Sequence, residues 1–206
     1  MNLGHLIVVE GPENTGKTTL AQVLPTALAQ RGVHAEYMSF PGRGTASIGA
    51  VVYDLEHKPD RFGITALPAA TRQVLHLAAH LDAIESRIKP ALASGRWIVL
   101  DRYWWSMWAH GHAQGLSTTL LNQLVKIECD AWQPIKPAVI FCTLRPAPFD
   151  DPLTPQWEAV QAAYRQLVEV QGAHAPIDQL GPTQSVEDRV ISCLARLTTL
   201  GVLPRL

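Results

Sequence analysis

The chain lacks an excess of basic charge, and it lacks a long apolar run. Lys and Arg number 17 against 18 Asp and Glu, for a formal net charge of -1. A dedicated non-specific nucleic-acid binder is ordinarily basic, so this balance argues against that class while leaving a local basic groove open. No stretch approaches the ~18 apolar residues of a membrane-spanning helix, so we expect no span. The first apolar run, residues 6–9, is too short for the core of a signal peptide.

Cysteine is also scarce, and the few cysteines present have no pattern. Cys129, Cys142 and Cys193 are an odd number without C-x-x-C spacing. This excludes the regular frameworks of disulfide-rich domains and structural zinc sites. We interpret all three as small core residues in a reducing compartment, which predicts a cytoplasmic protein.

Short apolar runs alternate with stretches of helical periodicity along the chain. The apolar runs lie at residues 6–9, 35–40, 97–100, 138–144 and 175–180. Helical spacing covers residues 17–31, 48–57, 68–94, 118–131, 155–171 and 186–200. This alternation predicts an α/β fold in three layers, with a five-stranded parallel sheet and helices on both faces. No linker divides the chain, so we expect one domain over residues 1–206.

A phosphate-binding motif follows the first predicted strand, in the stretch LIVVEGPENTGKTTL. Gly11, Gly16, Lys17 and Thr18 match the spacing G-x-x-x-x-G-K-[ST]. In this motif the loop N–H groups surround phosphates, the lysine reaches the β- and γ-phosphates, and the hydroxyl helps to hold Mg²⁺. A chance match in a glycine-containing turn is the alternative, and the flanking strand and helix argue against it. The other candidate ATP-phosphate ligands are Glu13, Asn14, Thr15 and Thr19.

A second polar site is predicted at the end of the third apolar run, in VLDRY. Asp101 follows a strand that reads as buried, and the carboxyl ends of parallel strands form the ligand crevice of open α/β sheets. A carboxylate there suits Mg²⁺ or its bound water. Arg102 can pair with phosphate oxygens through its forked guanidinium. A surface Asp–Arg pair is the alternative interpretation.

Four segments, in order, resemble the thymidylate kinase family of nucleoside monophosphate kinases, over roughly residues 6–200. They are EGPENTGKTT, then FPGR at residues 40–43, then IKPALASGRWIVLDRYWWS at residues 88–106, and QWEAVQAAYRQL at residues 156–167. The resemblance implies a P-loop kinase fold and phosphoryl transfer from ATP, with Mg²⁺, to a deoxynucleoside monophosphate. It also implies a homodimer.

The resemblance further assigns roles to individual positions. Glu13 would contact the acceptor sugar, Arg43 would hold the acceptor phosphate, and Lys17, Asp101 and Arg102 would organise metal and phosphates. The implied acceptor site comprises Glu13, Phe40, Arg43, His76, His80, Arg102, Ser106 and His110. Phosphoryl transfer depends on positioning and charge neutralisation more than on a strong base, which agrees with this residue set.

The predicted base pocket departs from the family pattern. The family has a stacking phenylalanine and, four residues later, a base-reading arginine, where this chain has His76 and His80. The segment AHGHA, with His110 and His112, is altered as well. Imidazole stacks and hydrogen-bonds, but it is smaller than phenylalanine and not permanently charged. The alternatives are that His76 and His80 are ordinary helix histidines, or an i, i+4 metal-binding pair.

The predicted lid departs too. RPAPFDDPLTP, residues 145–155, is short and proline-rich, and the phosphate loop carries no arginine. The arginine that stabilises the transferring charge is therefore Arg102 or Arg145, or it comes from elsewhere. Trp104, Trp105 and Trp108 are interpreted as core packing, or else as a stacking wall for a base or strand.

Three functions remain open from the sequence. The first is a thymidylate-kinase-like deoxynucleotide kinase with altered base preference. The second is a kinase of a modified pyrimidine, such as a hydroxymethyl pyrimidine, with DNA as a conceivable acceptor. The third is a nucleotide-binding protein with weak catalysis, which the missing lid arginines favour and the combination of Lys17, Thr18, Asp101 and Arg102 disfavours.

Overall fold

The structure is a computed structural model that describes residues 3–42, 44, 46–144, 155–172, 176–181 and 184–204. Its strands are β1 (Leu6–Glu10), β2 (Ala35–Ser39), β3 (Trp97–Asp101), β4 (Val139–Thr143) and β5 (Ile177–Leu180). Its helices are α1 (Lys17–Ala29), α2 (Ile48–His57), α3 (Ala69–Ala83), α4 (Lys89–Ala93), α5 (Trp104–Ala113), α6 (Thr118–Trp132), α7 (Pro155–Gln171) and α8 (Val186–Thr199). A 3-10 turn spans Pro59–Phe62. No described helix is long and apolar enough to cross a membrane.

The five strands form one parallel sheet in the order β2-β3-β1-β4-β5. This confirms the predicted sheet. Strand β1 lies between β3 and β4 and is buried along its whole length, as its unbroken apolar run predicts. Its carboxyl end therefore lies beside the carboxyl end of β3, which brings the phosphate loop next to Asp101.

Helices cover both faces of the sheet, because alternate side chains of β1 pack into two different cores. Leu6 and Val8 pack into a core that includes residues of α5 and α7. Ile7 and Val9 point the other way, into a core shared with α1 and α8. Successive side chains of a strand point to opposite faces, so two apolar cores on one strand require three layers.

Local sequence signals fix several helix ends. Ser117 and Ser47 accept backbone hydrogen bonds at the starts of α6 and α2. Ser185 and Asp188 form a reciprocal capping box at the start of α8. These caps satisfy N–H groups that the first turn of a helix leaves without partners, so the helices begin where the sequence predicts.

Two predictions about helices were wrong. Residues 68–94 form no single α-helix, because a π-helical turn at Ile84–Ile88 separates α3 from α4. Pro90, near the start of α4, has no N–H to donate and its ring crowds the preceding turn, so a regular helix cannot run through it. The second error is α5, for which no helix was predicted. Its tryptophans are core residues, with Trp104, Trp105 and Trp108 exposed by 7%, 0% and 7%.

Candidate active site

A cavity of about 590 Å³ opens at the carboxyl ends of β1, β2 and β3. Nine of the residues predicted from sequence line this cavity. Those that line the cavity are Glu13, Thr18, Phe40, His76, His80, Asp101, Arg102, Ser106 and His110. Residues from distant segments thus meet in one crevice, at the edge of the sheet where open α/β folds bind ligands.

The phosphate loop is a tight turn that requires glycine at both motif positions for steric reasons. A Cβ on Gly11 would lie 2.3 Å from the carbonyl oxygen of Thr143, so no larger residue fits against β4. Gly16 has φ of 81°, a left-handed conformation, and immediately precedes α1. The loop therefore ends at the N-terminus of a helix, where free N–H groups and the helix dipole attract anions.

Lys17 and Arg189 stabilise this loop from opposite ends of the chain. Lys17 Nζ donates to the carbonyl oxygen of Pro12 at 3.0 Å. Burial, together with the Arg102 guanidinium, lowers the pKa of Lys17 to about 8. Arg189 of α8 donates to the carbonyl oxygen of Thr15 at 2.7 Å. Arg189 carries no sequence motif, and only the fold brings it to the loop.

Thr18 and Asp101 form the part of the site that fits a metal ion. Thr18 Oγ1 donates to Asp101 Oδ2 at 2.7 Å. Asp101 Oδ1 is buried and has no hydrogen-bond partner among the described residues. A buried carboxylate oxygen without a partner, next to a hydroxyl, is a donor set suited to Mg²⁺. The described residues contain no group of three or more His, Cys, Asp and Glu side chains that could hold a metal, so His76 and His80 have no third ligand there.

Glu13 is surrounded by positive and polar groups. Arg102 donates to its Oε1 at 3.2 Å, and His110 Nε2 lies 3.5 Å from the same oxygen. Burial raises the pKa of Glu13, but attraction to His110, which is charged only in acid, and to Arg102 and Lys17 outweighs burial, so the pKa lies below its ordinary value. Burial lowers the pKa of His110 to about 4, which leaves the imidazole neutral at physiological pH.

Glu10 organises the site, and sequence reasoning missed it. Its side chain is fully buried at 0% exposure. It accepts hydrogen bonds from the backbone N–H groups of Gly11, Tyr103 and Ser106 at 3.2, 2.6 and 3.0 Å. It also accepts from the hydroxyls of Ser106 and Tyr164 at 2.9 and 2.8 Å. One carboxylate thereby joins the phosphate loop, the start of α5 and helix α7, and burial nevertheless raises its pKa.

Arg102, between Asp101 and this network, has an unusual backbone. Its φ is 78°, in the left-handed region that a residue with a Cβ seldom adopts. Its N–H donates to the carbonyl oxygen of Val9 at 3.0 Å, and its guanidinium donates to Ser106 Oγ at 3.2 Å. Such outliers concentrate at functional sites, where the surrounding structure holds them.

The predicted base pocket contains two acid–histidine pairs. His76 Nε2 lies 2.8 Å from Glu56 Oε1, and His80 Nδ1 lies 2.8 Å from Glu128 Oε2. The two imidazole rings are 6.2 Å apart and both line the cavity. The two histidines lie on the same face of α3, as their i, i+4 spacing predicts. Neither glutamate was singled out from the sequence.

Two predicted site residues lie outside the described part of the chain. They are Arg43, expected at the acceptor phosphate, and Arg145 of the lid segment 145–155. Helix α7, which follows that segment, reaches the phosphate loop through Trp157, whose Nε1 donates to the Glu13 carbonyl oxygen at 3.2 Å.

Several known proteins of similar sequence and structure are thymidylate kinases. A thymidylate kinase family profile matches residues 9–147, which is more than half of the chain. A thymidylate kinase of Haemophilus ducreyi is 33% identical over 132 residues, 64% of this chain and 60% of that protein. One of Clostridium novyi is 28% identical over 135 residues, 65% of this chain and 63% of that protein. The matched stretch thus spans about three fifths of these relatives.

Two solved structures share the fold over nearly the whole chain. Thymidylate kinase from Ehrlichia chaffeensis has a TM-score of 0.75 at 18% identity, covering 94% of this chain and 98% of that one. Thymidylate kinase from Candida albicans has a TM-score of 0.72 at 20% identity, covering 97% and 93%. The fold agreement extends past the sequence match into α7, β5 and α8. By its sequence match over residues 9–147, the chain belongs to the thymidylate kinase family.

Proposed function

We propose that this protein is a kinase that transfers the γ-phosphoryl group of ATP to the 5′-phosphate of a deoxynucleoside monophosphate. The products are ADP and the deoxynucleoside diphosphate. The observation that carries the proposal is that Thr18, Asp101 and Arg102 line one cavity, beside the phosphate loop in which Lys17 donates to Pro12. A binding protein with weak catalysis would not need all four.

The residues divide the chemical work between donor and acceptor. An oxygen of the acceptor phosphate forms a bond to the γ-phosphorus as the bond to the β,γ-bridging oxygen breaks, and that oxygen leaves with ADP. The loop N–H groups and Lys17 hold the donor phosphates, and Arg102 neutralises negative charge between donor and acceptor. Thr18 and Asp101 would hold Mg²⁺, which when bound neutralises phosphate charge.

The acceptor side is assigned by its position across the cavity. Glu13 is held by Arg102 and would accept a hydrogen bond from the acceptor sugar. Phe40 presents an aromatic ring at the end of β2, stacked on His80 with ring centres 3.9 Å apart. Arg43, three residues further, would hold the acceptor phosphate. We assign to Arg102 the role of stabilising the negative charge of the transition state, because its guanidinium lies between Glu13 and Ser106 at the cavity wall.

The base preference of this pocket is proposed to differ from that of a Phe–Arg pocket. His76 and His80 are smaller than the residues they replace in the family pattern, and each is held by a glutamate. The space that they leave favours one of two outcomes. Either the pocket accepts several bases, or it prefers a base with an extra polar group, such as a hydroxymethyl pyrimidine. The test is kcat/KM for a panel of nucleotides and modified-base DNA with wild type and His76→Phe/His80→Arg. A strong wild-type preference for dTMP that the double substitution leaves unchanged would refute the altered pocket.

A homodimer is the proposed assembly. The apolar side chains Ile48 and Val51 of α2 and Val74 of α3 are 46%, 52% and 49% exposed. Helices α2 and α3 pack on each other, so these side chains lie on adjoining helices. Light scattering of wild type and of Val51→Lys/Val74→Lys tests this. A monomeric wild type contradicts it.

A further inference from the structure

Arg189, in the first turn of α8, contacts the backbone of the phosphate loop. Its guanidinium Nη1 donates to the carbonyl oxygen of Thr15 at 2.7 Å. A Cβ built on Gly16 would lie 3.1 Å from the same nitrogen, so the guanidinium lies against the peptide group that joins Thr15 to Gly16. Arg189 is 6% exposed, and a hydrogen bond from a charged donor is about twice as strong as one between neutral groups. The Thr15 carbonyl group is therefore held firmly by α8.

Helix α8 gives Arg189 a rigid base. The capping box of Ser185 and Asp188 fixes the start of the helix, and the Arg189 N–H donates to the Ser185 carbonyl oxygen at 3.1 Å. Further along the helix, buried side chains of α8 lie in the core that it shares with α1. The phosphate loop leads directly into α1, so both partners of the Arg189–Thr15 hydrogen bond are anchored on helices that pack on each other.

The hydrogen bond from Arg189 also determines where the Gly16 N–H points. The Thr15 carbonyl and the Gly16 N–H belong to one trans peptide group, in which C=O and N–H point in opposite directions. Gly16 has φ of 81°, and glycine adopts positive and negative φ about equally, so glycine alone does not fix the plane of this peptide. With the carbonyl held by Arg189, the N–H points away from α8.

The Gly16 N–H is a donor that is available to a ligand. Gly16 is the N-cap of α1, and none of the described residues accepts a hydrogen bond from its N–H. A helix leaves its first N–H groups without acceptors inside the helix, and anions bind there. In the motif that this loop matches, such N–H groups meet the phosphates of the nucleotide.

We propose that Arg189 is a positioning residue for the donor nucleotide: it holds the Thr15 carbonyl so that the Gly16 N–H donates to a phosphate group of ATP. The guanidinium also draws electron density from the carbonyl, which makes the N–H at the other end of the same peptide a stronger donor. Without Arg189 the peptide can rotate and present its carbonyl oxygen, which repels phosphates. The proposal rests on the donor half of the proposed function, since it requires bound ATP phosphates but no transfer.

The sequence allows this one peptide to be observed directly. Thr15–Gly16 is the only Thr-Gly pair in the chain, so protein labelled with ¹³C at threonine carbonyls and ¹⁵N at glycine gives a single NMR correlation between the two. The probes are ATP and inorganic tripolyphosphate, each with Mg²⁺, because tripolyphosphate carries phosphates without a nucleoside. In wild type both should move the Gly16 proton downfield. The movement of this signal gives dissociation constants that report on folded protein alone.

Two variants and a control separate this role from packing. Arg189→Met keeps a long side chain but donates no hydrogen bond, so the dissociation constants of ATP and tripolyphosphate should both rise about tenfold. The Thr15 carbonyl signal should also move upfield before any probe is added. Arg189→Lys keeps a charged donor and should lose less affinity. Arg196→Met removes an arginine from the same helix, where it pairs with Asp178 at 3.7 Å, and should bind both probes as wild type does.

Equal losses for the two probes in Arg189→Met, a smaller loss in Arg189→Lys and a shifted Thr15 carbonyl signal support the proposal. A Gly16 proton that neither probe moves in wild type overturns it, as do unchanged dissociation constants in folded Arg189→Met. A loss for ATP alone also overturns it, because Arg189 would then bind the nucleoside. If Arg189→Met does not fold, Arg189→Lys decides: weaker binding with a shifted carbonyl signal supports the proposal, and wild-type values for both overturn it. Wild type that binds ATP but transfers phosphate to no acceptor contradicts the proposed function and leaves this test unaffected.

Discussion

Thr18 donates a hydrogen bond of 2.7 Å to Asp101, a residue 83 positions later in the chain. The contact joins the start of α1 to the end of β3, because β1 and β3 are neighbours in the sheet. It leaves Asp101 Oδ1 buried and without a partner among the described residues. We propose that this pair binds the metal ion.

Asp101→Asn should reduce phosphoryl transfer by ~100-fold and raise the Mg²⁺ concentration needed for half-maximal rate, since an amide is a poorer Mg²⁺ ligand than a carboxylate. Initial rates across a Mg²⁺ series, and Mn²⁺ binding measured by electron paramagnetic resonance, provide the readouts. Asp130→Asn serves as the surface control. If the Mg²⁺ dependence and Mn²⁺ binding of Asp101→Asn match those of wild type, Asp101 does not bind the metal.

Glu10→Gln should lower the free energy of unfolding by about 1–3 kcal/mol, because its amide group would face N–H and hydroxyl donors that now meet carboxylate oxygens. Its kcat should fall as well, since Tyr103 and Ser106 position Arg102. Tyr164→Phe removes only the hydrogen bond from α7 and should cost about 1 kcal/mol. Urea unfolding and steady-state kinetics compare the two. If Glu10→Gln and Tyr164→Phe lower the free energy of unfolding equally, or if Glu10→Gln keeps full activity, Glu10 does not organise the site.

ATP affinity should decrease as pH rises through about 8, the pKa to which burial and Arg102 lower Lys17. The direction of the pH dependence follows from the coupling of Lys17 protonation to folding and to ATP binding. Folding favours the neutral amine, so charged Lys17 costs stability below pH 8, and this cost is lost as pH rises towards the unfolded pKa near 10.5. Bound phosphates favour the charged amine, so ATP binding takes up a proton above about pH 8, where Lys17 of the free protein is mostly neutral. Dissociation constants from about pH 7 to about pH 10 check this, with Lys17→Ala expected to show no such step.

Arg43→Lys should weaken the use of a monophosphate acceptor, because a lysine point charge cannot reproduce bidentate contact with phosphate oxygens. The measurement compares kcat/KM for a deoxynucleoside monophosphate with that for the matching nucleoside. A selective loss with the monophosphate supports the assignment. Equal losses with both would mean that Arg43 does not bind the acceptor phosphate.

The sequence was informative where local pattern and structure coincide. The unbroken apolar run before the phosphate loop predicted β1, and helical spacing from residues 48, 118 and 186 predicted the starts of α2, α6 and α8. Helix α5 escaped prediction because it is buried on nearly all sides, so WWSMWAHGHA has no amphipathic period. The turn at Ile84–Ile88 escaped because 3.6-residue periodicity does not reveal a π-helical insertion.

The site residues that escaped prediction are those defined by long-range contact. Glu10 ends a strand, and its partners Tyr103, Ser106 and Tyr164 lie 93, 96 and 154 positions away. Glu128 has the appearance of an ordinary helix carboxylate until the fold places it behind His80. A buried glutamate has no local signature, because its burial and its partners depend on tertiary structure.

The function proposed for this cavity is phosphoryl transfer from ATP to a nucleoside monophosphate, with Lys17 holding the donor phosphates. The most direct measurement is ADP release across all deoxynucleoside monophosphates, nucleosides and modified-base DNA, with wild type and a Lys17→Ala variant whose fold is verified by circular dichroism. We expect acceptor-dependent ADP release by wild type, with a monophosphate as the acceptor, and its loss in Lys17→Ala. Turnover that is unchanged in folded Lys17→Ala, or wild-type ADP release that no acceptor stimulates, would contradict it.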